Sequence, residues 1–256
     1  MFNVISSEFY KLRKSKGFWI MVVVVAAMAA LSSVVFGLLS AEELMGMRPE
    51  SGSAMLIGAL PMNIGTMLWF LVGFVVIFIN FDFESGCIRN PLAIGITRVQ
   101  YYGAKFVMGL LTCFIFVVVT LVAATLPFAV MEGWGDGLDV GAFLASVGVG
   151  YLILVAQVTL FMSLAMMLRK IGPTLGALIG YLVLDMMISA FMVFVELGDV
   201  LRGLANVLPS PAGFYLSGLS TGDAYFGDVM WVVVVSIAVI VVMSLLAIRS
   251  LTRRDV

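Results

Sequence analysis

Few side chains in this chain are able to perform chemistry, and their types exclude most reactions. The sequence contains no histidine, so it cannot build a Ser-His-Asp triad or a histidine-ligated metal site. It also lacks the G-x-x-x-x-G-K-[ST] sequence that cradles nucleotide phosphates. Cys87 falls in a charged loop and Cys113 about nine residues inside an apolar helix, so both are predicted to be free thiols. We therefore expect no enzyme activity, cofactor or metal in this chain.

One ionisable side chain lies deep inside an apolar segment. Asp185 stands about twelve residues into the apolar run 173–195, where a carboxylate is costly and normally faces a partner, water or a transport pathway. Three interpretations stay open: a substrate or ion site, a hydrogen bond between helices made by the protonated acid, or a misplaced span. Asn63 and Gln157 are milder candidates for the same pathway, and such amides more often join helices.

The elements that position these residues are predicted to be membrane-spanning helices. The chain has 256 residues, of which 62% are hydrophobic and 11% charged, whereas soluble domains have about half and a quarter. Continuous apolar runs must be helical in lipid, because their backbone groups need partners within the same segment. The runs cover about 18–40, 59–80, 104–130, 140–168, 173–195 and 229–248. We predict an all-α membrane protein with six spans, forming a single transmembrane domain over residues 1–256.

The basic residues predict the orientation of the spans. All of the 14 Lys and Arg residues except Arg48 and Arg202 fall in segments on one side of the predicted membrane. By the positive-inside rule this side is cytoplasmic, and it carries both termini. Basic residues at span ends are accounted for by topology, so no nucleic-acid partner is expected. Tyr101 and Tyr102 are predicted to anchor α-helical ends at the inner interface.

Three segments outside the spans have predictions of their own. Residues 2–16 place Phe2, Ile5, Phe9 and Leu12 at helical spacing, which predicts an amphipathic helix in the inner interface, although a basic flank that only sets topology is the alternative. Residues 196–228 predict an outer segment of short helices that re-enter the membrane. The outer loop around residues 133–137 is predicted to be a solvated turn.

The long inner loop, residues 81–103, has the features of a short amphipathic helix. Asn90 and Pro91 provide a helix start, and Ile88, Leu92 and Ile96 recur at every fourth position. Charged residues flank this apolar stripe. We therefore predict a short cytoplasmic helix between the second and third spans.

This loop resembles a pattern found in bacterial ABC exporter permeases of the type-2 family. Their second span is followed by E-x-x-x-G-T-I-x-N-x-L-x-x-G-x-x-R-x-x-x-x-x-x-K. The counterparts here are Glu84, Ile88, Asn90, Leu92, Gly95, Arg98 and Lys105, with an approximate spacing after the first. The opening SSEFYKLRKSKGFWI and the closing TRRDV are also similar to that family. Cys87 stands where the family has Thr, which weakens any hydrogen bond from that position.

The resemblance implies a transport function. The chain would be the permease subunit of an ABC exporter in a bacterial cell membrane, paired with a second permease as a homodimer or heterodimer. Separate cytoplasmic ABC ATPase subunits would bind ATP and Mg²⁺ and dock on the short helix. The implied substrate is a peptide antibiotic, a bacteriocin or another amphipathic compound, moved for export or self-immunity. The implied ATPase-coupling residues are Glu84, Gly86, Ile88, Arg89, Asn90, Leu92 and Arg98.

Two stripes of small residues predict close helix packing. The first span carries Ala29, Ser33 and Gly37 at intervals of four, and the fifth span carries Gly172, Gly176 and Gly180 at the same interval. Packing within the chain and packing across a dimer are both open, and the resemblance favours the dimer. The rival function is a gradient-driven transporter or channel that uses Asp185 as its ion site.

Overall fold

The chain folds as a bundle of long α-helices. The computed structural model describes residues 2–39, 49–88, 95–135, 137–194 and 226–253, and over these residues it contains helices and connecting turns without strands. The helices are α1 (Phe2–Lys14), α2 (Lys16–Leu38), α3 (Gly52–Glu84), α4 (Arg98–Glu132), α5 (Val140–Leu168), α6 (Ile171–Phe194) and α7 (Phe226–Arg253). All except α1 are long and apolar enough to cross a membrane. The predicted all-α fold with six spans is therefore confirmed.

Several helices extend well beyond the predicted spans. Helix α4 has 35 residues and would be about 50 Å long, which exceeds the ~30 Å of a bilayer core, so its ends project or the helix tilts. Helix α3 begins at Gly52, so Pro61 lies in its third turn and not at its start. Proline leaves the carbonyl four residues earlier without its helical donor. The Ser146 hydroxyl of α5 donates to this freed Ile57 carbonyl over 3.3 Å.

Polar side chains define where the helices begin. Ser15 and Ser51 accept hydrogen bonds from backbone N–H groups in the first turns of α2 and α3, and Asp139 does the same for α5. Thr97 and Gln100 form a reciprocal capping box at the start of α4. These caps satisfy N–H groups that have no partner inside the helix, which fixes the helix starts.

Helices α3 and α5 form the centre of the bundle. Helix α3 packs against both α4 and α5, while α2 packs mainly on α4, and α7 mainly on α5. Hydrogen bonds reinforce these contacts, because Ser163 of α5 donates to the Met243 carbonyl over 2.9 Å and the Tyr102 hydroxyl of α4 donates to Ser244 over 2.7 Å. Tyr102 is 5% exposed and Tyr101 is 2% exposed. Their predicted role as interfacial anchors is therefore wrong, since both rings lie inside the protein.

Contacts between chain segments gather the basic residues at one end of the bundle, which we call the basic end. Lys11 of α1 lies beside Asp82 at the end of α3, and Glu84 contacts the start of α6. Arg98 at the start of α4 contacts the last turn of α7. The inner segments predicted to share one side of the membrane therefore do share one end of the structure.

At the opposite end, the loop after α4 is attached to the start of α3. The Gly52 and Ser53 N–H groups donate to the Gly133 and Trp134 carbonyls, each over 3.0 Å. Gly135 has φ +77°, and a Cβ added there would lie 2.3 Å from the Cβ of Ser51, so this close approach requires glycine. The described residues of this loop are exposed, as predicted for a solvated turn, and the two hydrogen bonds also attach it to α3. The predicted short inner helix, with Arg89, Asn90 and Leu92, and residues 196–225 of the predicted re-entrant segment lie outside the described residues.

Candidate functional site

Four charged side chains meet inside the protein at the basic end, and we call them the ionic cluster: Glu8, Lys11, Asp82 and Lys105. The Lys105 Nζ lies 2.6 Å from Glu8 Oε2 and 2.6 Å from Asp82 Oδ2. The Lys11 Nζ lies 2.8 Å from Glu8 Oε1 and 3.4 Å from Asp82 Oδ2. Two ammonium groups therefore face two carboxylates, and the cluster joins α1, the end of α3 and the start of α4.

Three members of the ionic cluster, Glu8, Asp82 and Lys105, are shielded from solvent, so their pairing is essential. Glu8 and Lys105 are each 2% exposed and Asp82 is 5% exposed, and an unpaired charge at such depth would carry a large desolvation cost. The Tyr101 hydroxyl also donates to Asp82 over 3.2 Å. The Lys105 Nζ lies 4.2 Å from the centre of the Phe78 ring, a cation–π distance. The ionic cluster is thus balanced in charge, and Tyr101 and Phe78 provide further contacts to Asp82 and Lys105.

Lys11 is the half-exposed member of the ionic cluster. Burial lowers the pKa of its ammonium, but the hydrogen bond to Glu8 and the charges of Glu8 and Asp82 act the other way, so the pKa of Lys11 is raised overall. A raised pKa keeps a lysine charged at neutral pH, because the proton is lost only as the pH rises through the raised value. Lys11 therefore supplies its positive charge to the cluster under physiological conditions.

The helical spacing of α1 explains how Glu8 reaches the cluster. Val4, Glu8 and Leu12 follow one another at intervals of four and are all buried, so they form the side of α1 that meets the bundle. Phe9 is 47% exposed on another side. The prediction that Leu12 faces the membrane interface is therefore wrong, because Leu12 packs inside the protein. Phe9 is exposed and is able to contact lipid.

The two ends of the inner loop also hold the ends of other helices. The Glu84 Oε1 accepts a hydrogen bond of 2.8 Å from the Ile171 N–H at the start of α6, where a negative charge favours the helix dipole. The Arg98 guanidinium donates to the Leu251 and Thr252 carbonyls, where a positive charge favours the dipole at the end of α7. These two of the predicted coupling residues thus make contacts within the chain.

The turn after α3 brings the loop back towards the ionic cluster. Gly86 has φ +70°, a left-handed conformation that favours glycine. The Ile88 N–H donates to the Asp82 carbonyl over 3.2 Å, and the Ile88 side chain is 2% exposed and packs in the core. Ile88 therefore supports the loop from within. Cys87 is exposed and Cys113 is buried, and both are free, as predicted.

Two of the three predicted pathway residues lie at the contact between α5 and α6. The Tyr181 hydroxyl of α6 donates to the Gln157 Oε1 of α5 over 2.6 Å. Asp185 follows Tyr181 by one helical turn and is 3% exposed. Asn63 lies elsewhere: its Nδ2 donates to the Ala59 carbonyl over 2.9 Å, and its Oδ1 accepts from Ser32 of α2 over 3.1 Å. Asn63 therefore joins α2 to α3.

The two small-residue stripes have different surroundings. Ala29 and Ser33 are buried, and the Ser33 hydroxyl donates to the Ala124 carbonyl of α4 over 2.5 Å. A Cβ added at Gly37 would lie 2.9 Å from Met131. The α2 stripe therefore packs within the chain, against α4.

The α6 stripe faces away from the rest of the described chain. Gly172, Gly176 and Gly180 are exposed, and a Cβ added at any of them meets nothing within 4 Å among the described residues. Packing of this stripe against another helix of the same chain is therefore not seen among the described residues.

Asn80 is a buried amide without a visible partner. It is 0% exposed, and neither its Nδ2 nor its Oδ1 has a hydrogen-bond partner among the described residues. It lies one turn before Glu84 on α3. A buried polar group normally finds a partner, so Asn80 carries a cost in this conformation.

Sequence reasoning missed the pairing of Glu8 and Asp82 with Lys105. A usable signal was present: both acids fall on the side of the chain where basic residues predominate, and acids in such segments invite pairing. What the sequence did not provide was the rotation of α1, α3 and α4 about their axes.

Comparison with known protein families supports a transport role. A family model described as ABC-2 family transporter protein matches residues 4–183. The matched range contains the ionic cluster, the inner loop and about the first half of α6. Comparison with curated proteins gives no match.

Proposed function

We propose that this chain, which belongs to the ABC-2 family of transporter proteins and is therefore a permease subunit of an ABC transporter, is the membrane-spanning part of an ATP-driven exporter. Family membership implies an ABC ATPase as partner. That partner would bind ATP and Mg²⁺ and dock on the inner loop. The bacterial cell membrane is the proposed location, with the basic end and both termini in the cytoplasm, since cytoplasmic segments are rich in Lys and Arg.

The observation that supports coupling through the inner loop is its set of contacts with other helices. Glu84 connects the loop to α6 through a hydrogen bond, and Arg98 connects it to α7 in the same way. Asp82 connects it to α1 through an ion pair with Lys11. A force applied to the loop by an ATPase would therefore reach several spans at once. Such linked rigid elements are the usual means by which a local contact becomes a domain movement.

The second permease is proposed to contact the outward-facing α6 stripe. Its three glycines allow another helix to approach closely, and the exposed Ile179 and Val183 lie on the same helix. A copy of this chain and a related permease both fit this proposal. The dimer would enclose the transport path between the two subunits.

The proposed substrate is an amphipathic compound, with peptide antibiotics and bacteriocins as the first candidates. This proposal rests on the resemblance of the inner loop and the two ends of the chain to bacterial exporter permeases of the type-2 family. Both secretion of such a compound and protection of the producing cell are consistent with export.

The proposal is tested by reconstituting the permease with its co-purified ATPase in proteoliposomes. Substrate-stimulated ATP hydrolysis and ATP-dependent transport are expected. Glu84→Ala should reduce both while leaving membrane insertion intact, because Glu84 is exposed and lies at the loop. Glu50→Ala, an exposed acid at the opposite end of α3, is the matched control. Transport that does not require ATP and stops when the proton gradient is dissipated would contradict the proposal. It would favour a gradient-driven transporter that uses Asp185 as its ion site.

A further inference from the structure

Helix α1 is attached to the bundle by a buried carboxylate, whereas a helix that only lies on a membrane is held by its apolar face and by basic residues that face anionic lipid. Its Glu8 is held by the Lys105 Nζ at 2.6 Å. Both side chains are 2% exposed, so their separation would leave unpaired charges away from water. The attachment therefore resists small displacements of α1 relative to α4.

The same helix is attached to α2 at its other end. The Trp19 Nε1 of α2 donates to the Arg13 carbonyl of α1 over 3.0 Å. Ser15, between the two helices, caps the start of α2 through a hydrogen bond from the Phe18 N–H. A movement of α1 would therefore be passed to the first span.

The ionic cluster lies where the inner loop joins its two spans. Asp82 is in the last turn of α3 and Lys105 is in the second turn of α4, and their charged atoms are 2.6 Å apart. The Ile88 N–H returns to the Asp82 carbonyl. The ionic cluster thus connects both ends of the inner loop to α1.

We infer that α1, the last turn of α3 with the turn that follows it as far as Ile88, and the first two turns of α4 move as one body, the transmission unit, in which Glu8, Asp82 and Lys105 are positioning residues. This inference rests on the proposed function, because it concerns how movement of the inner loop reaches α2. Without these residues the loop would still bind the ATPase, but its movement would no longer reach the first span through α1.

Charge balance provides a way to separate folding from transmission. Glu8→Gln or Lys105→Met alone leaves an excess buried charge, so each single variant is expected to insert poorly. The double variant Glu8→Gln/Lys105→Met leaves Lys11 facing Asp82 and restores balance, so its membrane level is expected to recover. Arg13→Gln removes an exposed charge from the same helix and is the matched control.

The double variant is then compared with the parent and Arg13→Gln in proteoliposomes that contain the co-purified ATPase. ATPase retention should match the parent, while transport per ATP hydrolysed should fall at least about fivefold, the lower range for coupling between sites. Parent-like transport per ATP in a well-inserted double variant would overturn the inference. Failure of the double variant to recover its membrane level would also overturn it, because the cluster would then act in folding beyond charge balance.

A direct measurement of movement complements the transport assay. Spin labels on native Cys87, which is exposed, and on Phe9→Cys report the distance between the loop and α1. In the parent this distance should stay constant between the nucleotide-free and ATP-bound complexes, whereas in the double variant its distribution should broaden. A parent distance that changes with ATP would contradict a single moving body. Absence of any ATP-dependent transport in the parent would instead count against the proposed function.

Discussion

At the scale of single residues, buried polar side chains in this protein differ in whether they are paired. Lys105 has two carboxylates within 2.6 Å, and Asn63 has partners for both of its amide atoms. Asn80 has no partner among the described residues. Since a paired group offsets its desolvation and an unpaired one does not, these residues should respond in opposite ways to apolar replacement.

Asn80→Leu is expected to raise the thermal stability of the detergent-solubilised permease, because it removes an unsatisfied buried amide that costs about 1–3 kcal/mol. Asn63→Leu is the matched control on the same helix, and it should lower stability because the Ser32 hydroxyl and the Ala59 carbonyl each lose a hydrogen bond. Thermal unfolding of both variants measures the difference. If Asn80→Leu destabilises as much as Asn63→Leu, the Asn80 amide has a partner in the assembled protein.

Asp185→Asn is expected to preserve folding and assembly, since an amide is able to replace a protonated acid in hydrogen bonds near Tyr181. Asp185→Leu should reduce the membrane level, because no polar group remains at that position. The comparison uses the amount of assembled permease and its transport activity. A stably assembled Asn variant without transport would point to an ion or substrate role and would strengthen the gradient-driven rival.

At the scale of elements, the two small-residue stripes show that the same sequence pattern serves different contacts. The α2 stripe is covered by α4 of the same chain, whereas the α6 stripe is uncovered in the described structure. Small residues at intervals of four only permit close approach. Which helix makes that approach depends on how each span is rotated in the bundle.

Gly176→Leu is expected to leave the single chain folded, because an added Cβ meets nothing within 4 Å in the described structure, and to weaken the permease dimer. Gly37→Leu is the control, since a side chain there would collide with Met131 of α4 and should destabilise the chain itself. Chemical crosslinking reports the dimer, and thermal unfolding reports the chain. An unchanged dimer in Gly176→Leu would place the permease contact on another surface.

At the scale of the whole molecule, the two ends of the bundle differ in charge. The basic end collects Lys11, Lys105, Arg98 and Lys170, while the opposite end carries the loop around Gly133. This asymmetry predicts the orientation of the bundle in the membrane. It also places the inner loop where a cytoplasmic ATPase would meet it.

Orientation is testable with thiol labelling in intact cells. Gly137→Cys at the opposite end should react with an impermeant maleimide, whereas native Cys87 should react only after the cells are opened. Cys113 is 0% exposed and should stay silent in both conditions, which makes it an internal control. Labelling of Cys87 from outside would reverse the topology and remove the basis for ATPase docking on the inner loop.

The sequence alone determined the fold class, the number of spans and their common charged side. Hydropathy and the placement of Lys and Arg are properties of continuous segments, so they can be seen before any helix is placed in space. Tertiary structure decided that Glu8 pairs with Lys105, which is 97 positions away, that Tyr101 points inwards, and that the α6 stripe points outwards. Each of these depends on the rotation and depth of a helix relative to its neighbours, and a turn of about 100° per residue changes which side chains meet.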